Sequence, residues 1–170
     1  MLMLVAWGLM WRYDGQRFVT GMMFSALLIL IALLDCRYLL IYDRLVAMLL
    51  ALGVVSMIWG DMALTDSLAG SVVGGGSLGL LHYLSHGGMG WGDVKLAAVL
   101  GWWLGTGGVF ICLYIAFMLG GLYGLGLLVC RRFQKDMVVP FGPFLAAGGI
   151  LALVLADHGE ALLEAWLWME

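Results

Sequence analysis

The chain has 170 residues, of which 64% are hydrophobic and only 11% charged, with a mean hydropathy of +1.06. A soluble domain is nearer half apolar and a quarter charged, so this composition cannot cover a water-facing surface. The formal net charge of −3 and the lack of a basic patch exclude a nucleic-acid partner. The expectation is an all-α, polytopic transmembrane bundle whose solvent is lipid.

In chain order, Met1 to Trp11 is apolar but short of the roughly 20 helical residues a bilayer core requires. Arg12 and Arg17 follow this run instead of preceding it, which argues against a cleaved signal peptide. It reads as a short or partial membrane helix. Phe18 to Leu34 is a clean apolar run ending in the polar segment Asp35 to Arg44. Leu45 to Trp59 follows, then the break at 60–66. Leu68 to Leu84 is Gly-rich but apolar. After the glycine-dense His86 to Lys95 comes a run from Leu96 to Leu104, stopped by a Gly-rich stretch around Thr106. Val109 to Val129 is the longest run. A charged loop holds Arg131, Arg132, Lys135 and Asp136. Val138 to Ala156 starts with Pro140 and Pro143, and the acidic, Trp-rich tail from Asp157 reads as an interfacial helix. The expected count is six or seven segments in one membrane domain spanning 1–170.

Charge placement sets the orientation. With the 35–44, 86–95 and 131–136 loops on one side, six of the eight basic residues share that side. The positive-inside rule makes it the cytoplasmic one, in a plasma (inner) membrane. Trp59, Trp102, Trp103, Trp166 and Trp168 suit interfacial positions. Arg131, Arg132 and Lys135 suit an anchor on the anionic leaflet. Gly70, Gly74, Gly75, Gly76 and Gly79 suit close helix packing, with Gly75 and Gly79 forming one G-x-x-x-G.

Two acids terminate or begin apolar runs, an expensive placement without a partner or a task. Asp35 directly follows one run. Asp93 lies in Gly-Gly-Met-Gly-Trp-Gly-Asp, immediately before another. The orientation puts both at the same boundary. Two carboxylates at one depth on different helices are the minimum for aspartyl proteolysis, one activating a water while the other polarises the carbonyl. The plain alternative is helix capping, for which Asp93 is well placed as an N-cap. Asp35, at a helix C-terminus, opposes the dipole. The helix ends alone would keep Asp35 protonated and ionise Asp93. Gly87, Gly88, Gly90 and Gly92 give room for close backbone approach or positive φ.

Cys36, Cys112 and Cys130 are widely spaced and indicate neither a disulfide framework nor a zinc site. His82 and His86 are four apart, yet no third ligand accompanies them, so no metal or other cofactor is expected.

Met89-Gly90-Trp91-Gly92-Asp93-Val94-Lys95-Leu96, followed by Leu100-Gly101-Trp102, resembles the G-x-G-D-x-K-L box of type IV prepilin peptidases, membrane aspartyl proteases. Leu34-Asp35 with Asp43 eight residues on is similar to that family's other aspartate segment. Val139-Pro140-Phe141-Gly142-Pro143-Phe144 resembles its late I-P-F-G-P-F stretch. The three matches fall in the family's order.

The resemblance implies that Asp35 and Asp93 are the catalytic pair, that Gly90 and Gly92 shape the active-site turn, and that Lys95 and Asp43 are motif residues beside it. It further implies cleavage of prepilin or pseudopilin leaders at the cytoplasmic face, after a glycine and before the substrate's hydrophobic helix. Tyr42 stands where the family usually has proline and is expected to loosen the turn after Asp35. The similarity covers the peptidase region alone, without the soluble paired-cysteine region associated with N-methylation in full-length members. Three other readings stay open: an intramembrane G-x-G-D protease with another substrate, a non-catalytic subunit of a pilus or secretion assembly, and a proton-coupled transporter, which needs acids near the bilayer midplane.

Overall fold

A computed structural model describes residues 15–58, 63–85, 88–130 and 139–167, with side chains at 18–57, 63–85, 88–130 and 139–155. Every regular element among them is a helix: α1 (Gly15–Tyr38), α2 (Asp43–Ile58), α3 (Leu64–Leu84), α4 (Trp91–Val129) and α5 (Gly142–Leu167). Met1 to Trp11, Trp59, Asp61, His86, Gly87, Arg131, Arg132, Lys135 and Trp168 lie outside the described residues.

The apolar runs read from the sequence became helices because their backbone groups have no water to bond in lipid and must bond internally. α1 from Phe18 and α4 are each long and apolar enough to cross a membrane, with a shorter apolar stretch at Gly142–Leu155. The exterior carries large apolar side chains, among them Val72, Tyr83, Tyr114, Leu122 and Val129, all more than half exposed. Burial inside the bundle is reserved for Phe24, Leu28, Ile31, Leu49, Leu78, Leu96, Leu100, Val109 and Leu145, a core drawn from all five helices.

α4 has 39 residues, about 58 Å if straight, nearly twice a bilayer core. It is not straight. Gly105 has φ 65° and ψ −173°, a region essentially restricted to glycine, and the chain folds back there. A Cβ placed on Gly74 of α3 would touch both the Ala97 carbonyl and, at 3.0 Å, the Val109 side chain. Residues twelve apart on a straight helix lie about 18 Å apart and cannot meet one atom. The stop expected around Thr106 is thus a reversal at Gly105. Asp66, in the first turn of α3, secures it: its Oδ1 accepts the Thr106 N–H (3.2 Å) and hydroxyl (2.5 Å), capping the returning arm from a neighbouring helix.

The two arms of α4 form the centre, packed against α3 and α5, while α1 packs on α5 and α2. Glycines set the spacing: a Cβ on Gly101 would meet the Gly70 carbonyl and, at 2.8 Å, the Ser71 amide nitrogen. The G-x-x-x-G pair is less intimate. A Cβ on Gly75 would meet Ala98 at 2.9 Å, whereas Gly79 has ordinary room. Of the tryptophans assigned to the interface, Trp103 is half-buried. It lies 4.6 Å from the Phe24 ring and donates to the Leu49 carbonyl at 2.8 Å, so it works as packing. The tail from Asp157, read as an interfacial helix, is helical to Leu167 and continuous with α5.

Candidate active site

Both acids singled out from the sequence lie in helix-terminal turns, at the end of the bundle opposite Asp66 and Gly105. Asp35 sits in the last turn of α1, only 5% exposed. α1 ends there because Leu39 turns to φ 53° while its N–H bonds the Asp35 carbonyl at 2.9 Å, a left-handed cap normally given to glycine. Tyr42 then starts α2 by accepting the amides of Leu45 and Val46. The connection after Asp35 is thus bounded at both ends by backbone hydrogen bonds.

Asp93 is the third residue of α4 and 9% exposed. The N-cap is Gly90, not Asp93. Asp93 turns Oδ2 back toward Gly90, where a Cβ would stand 3.2 Å from it, while its own N–H bonds the Gly90 carbonyl at 3.2 Å. Its other oxygen, Oδ1, is buried with no hydrogen-bond partner among the described residues. Asp35 and Asp93 lie at the same end of the bundle, on segments that touch where Ile41 rests on Gly92. Buried carboxyls without full pairing are costly, which makes them candidates for a functional site.

The glycines of the box act through space, not through unusual torsions. Among the described glycines only Gly105 has positive φ. A Cβ on Gly92 would lie 2.8 Å from the Ile41 side chain, and one on Gly90 would lie 3.2 Å from Asp93 Oδ2. Gly92 thereby lets the α1–α2 connection rest on the start of α4, bringing the segments of the two aspartates together.

Lys95 and Asp43 prove to be partners, 2.8 Å apart. They join the start of α2 to the first turns of α4 on the outside of the site. His82, considered with His86, bonds the Met89 carbonyl through Nδ1 at 2.6 Å and packs on Trp91 at 4.5 Å. It supports the loop preceding the box.

The sequence reading gave no role to Gly142. Its N–H, at the start of α5, donates to Asp35 Oδ2 at 2.9 Å, and a Cβ on it would fall 2.6 Å from the same oxygen. The Pro-Phe-Gly-Pro-Phe stretch was the available signal, but nothing in its spacing points to a residue 107 positions earlier.

Residues 22–125 match the type IV leader peptidase family. The chain belongs to that family. It is 33% identical over 150 residues to a prepilin leader peptidase/N-methyltransferase of Bacillus subtilis, covering 88% of this chain and 59% of that protein. It is 34% identical over 162 residues to the protein of that name from Pseudomonas aeruginosa, covering 91% and 54%, and 31% over 149 residues to that of Aeromonas salmonicida, covering 84% and 51%. The chain spans about half the length of the curated relatives it matches. No solved structure matches it.

Proposed function

We propose that this member of the family is a membrane aspartic endopeptidase that removes the leader of type IV prepilins or pseudopilins at the cytoplasmic face, with Asp35 and Asp93 as its catalytic pair. The observation that carries the reading is that two buried carboxyl groups, from different helices, lie at the same end of the bundle, one of them with an oxygen that has no hydrogen-bond partner among the described residues. One carboxyl takes a proton from water as it attacks the scissile carbonyl. The other gives its proton to the carbonyl oxygen. Gly90 and Gly92 let Asp93 and the α1–α2 connection pack closely at the start of α4, and Asp43 with Lys95 braces that connection.

The bundle is read as multi-pass in the plasma membrane, with α1, α2, α3, the two arms of α4 and α5 as separate crossings. α2, with 16 residues, is short for a crossing, and local thinning of the bilayer accommodates it. A prepilin helix beside the bundle would leave its basic leader in the cytoplasm and bring the junction, cut after a glycine, to the helix-terminal aspartates. Asp35, Asp43, Asp66 and Asp93 all lie in helix-terminal turns. That favours cutting at a membrane boundary over cutting inside the bilayer or proton-coupled transport.

The test is co-expression with candidate prepilins, following leader removal by wild type, Asp35→Asn and Asp93→Asn at matched membrane levels. Each variant is expected to leave the leader in place. Substantial cleavage by either removes the dyad.

A further inference from the structure

Resting on that reading, we propose that Gly142 is a positioning residue, and that its N–H at the start of α5 orients Asp35 as the carboxylate that activates the water. Three observations converge. The Gly142 N–H donates to Asp35 Oδ2 at 2.9 Å across 107 residues of sequence. Gly142 is itself buried, so water does not compete for the bond. A Cβ at this position would lie 2.6 Å from Oδ2 and 3.0 Å from Cγ, so any other residue pushes the carboxyl group away.

The chemistry follows from what each carboxyl faces. Asp35 meets the N-terminus of α5, where the Gly142 N–H and the positive end of the helix dipole favour a negative oxygen. Such a bond to an ionised acceptor is among the stronger kinds. The C-terminus of its own α1 has the opposite influence, but the direct bond is the one from Gly142. Asp93 Oδ1, buried with no hydrogen-bond partner among the described residues, has no donor to hold it ionised and is assigned the proton that goes to substrate.

Attack then proceeds with Asp35 taking one proton from water as the new C–O bond forms, and Asp93 giving its proton to the carbonyl oxygen. On collapse the C–N bond breaks and the leaving amine takes the proton from Asp35. Asp93 regains a proton from one hydroxyl of the intermediate, so both groups return to their starting forms. Gly142 touches neither substrate nor water. It fixes the direction of the Asp35 lone pairs, and a displacement near 1 Å is enough for about a 100-fold loss in rate.

The experiment pairs kinetics with a stability cycle, using the full chain in membranes and a cleavable prepilin. Gly142→Ala is expected to lower kcat about 100-fold and leave KM within about twofold, the signature of a contact used in the transition state. Thermal stability is compared for Gly142→Ala in the wild-type and Asp35→Ala backgrounds. The loss is expected in the first and largely absent in the second, where the carboxyl met by the new methyl is gone. If Gly142→Ala alone does not accumulate, accumulation of the double variant gives the same support. Near-normal kcat in Gly142→Ala, or equal destabilisation in both backgrounds, overturns the proposal. An active Asp35→Asn enzyme would instead remove the aspartyl reading itself, so the two failures are distinct.

Discussion

Lys95 Nζ lies 2.8 Å from Asp43 Oδ1, joining the first residue of α2 to a lysine two positions after Asp93. The side chains are 51% and 72% exposed, so the pair adds little to global stability: exposed pairs are worth roughly 0.2–1 kcal/mol. Its consequence is local, because Asp43 ends the connection that begins at Asp35. Reversing either charge, with Asp43→Lys or Lys95→Asp, should lower kcat/KM about fivefold at low salt and barely shift Tm. The double reversal should recover most of the activity. The single-variant deficit should shrink as ionic strength rises. A double reversal no better than the singles would mean that the contact does not act as a pair.

Glycines of similar appearance in the sequence should differ sharply in tolerance. A side chain on Gly101 would run into the Gly70 carbonyl, backbone against backbone, whereas Gly76 and Gly121 have open space. Gly101→Ala should cost about 1–3 kcal/mol through overpacking of α3 on α4. Gly76→Ala and Gly121→Ala should be neutral, or stabilising by about 0.5–1 kcal/mol through helix propensity. Unfolding of the purified protein in detergent, compared across the three variants, checks this.

The contrast shows what a linear reading could and could not supply. Most of the breaks in apolarity marked helix ends, and the isolation of Asp35 and Asp93 at such ends marked the candidate site, because both are local properties of the chain. The pairing of Gly142 with Asp35 and of Lys95 with Asp43 is set by how helices pack. Residues 107 and 52 positions apart leave no trace of their meeting in composition or periodicity. The same limit explains Gly105. The glycine-rich stretch predicts a stop, but which glycine takes the left-handed torsion depends on Asp66 being there to cap the returning arm.

Removing that cap should act on the fold and not on the dyad. Asp66→Ala deprives the Thr106 amide and hydroxyl of their acceptor and should cost about 1 kcal/mol, the usual value of a lost N-cap. Its kcat should stay near wild type, because the reversal lies at the far end of the first arm of α4 from Asp93. Asp66→Asn should lose less than Asp66→Ala, since an amide oxygen can still accept. A large kcat loss at unchanged Tm would instead couple the two ends of the bundle.

The native thiols report on orientation without any added mutation. Cys36 follows Asp35 directly, Cys130 caps the C-terminus of α4, and both are exposed, whereas Cys112 is buried. With the aspartates facing the cytoplasm, a membrane-impermeant maleimide should leave all three unmodified in intact spheroplasts. In inverted vesicles it should modify Cys130, and Cys36 as far as the reagent reaches the α1 end. Cys112, inside the bundle beside the Leu145 carbonyl, should react only after denaturation. Because the arms of α4 reverse at Gly105, Cys130 must emerge on the same side as Asp93. Labelling of Cys130 from outside the cell would therefore put the whole aspartate end on the wrong face for a leader that stays in the cytoplasm.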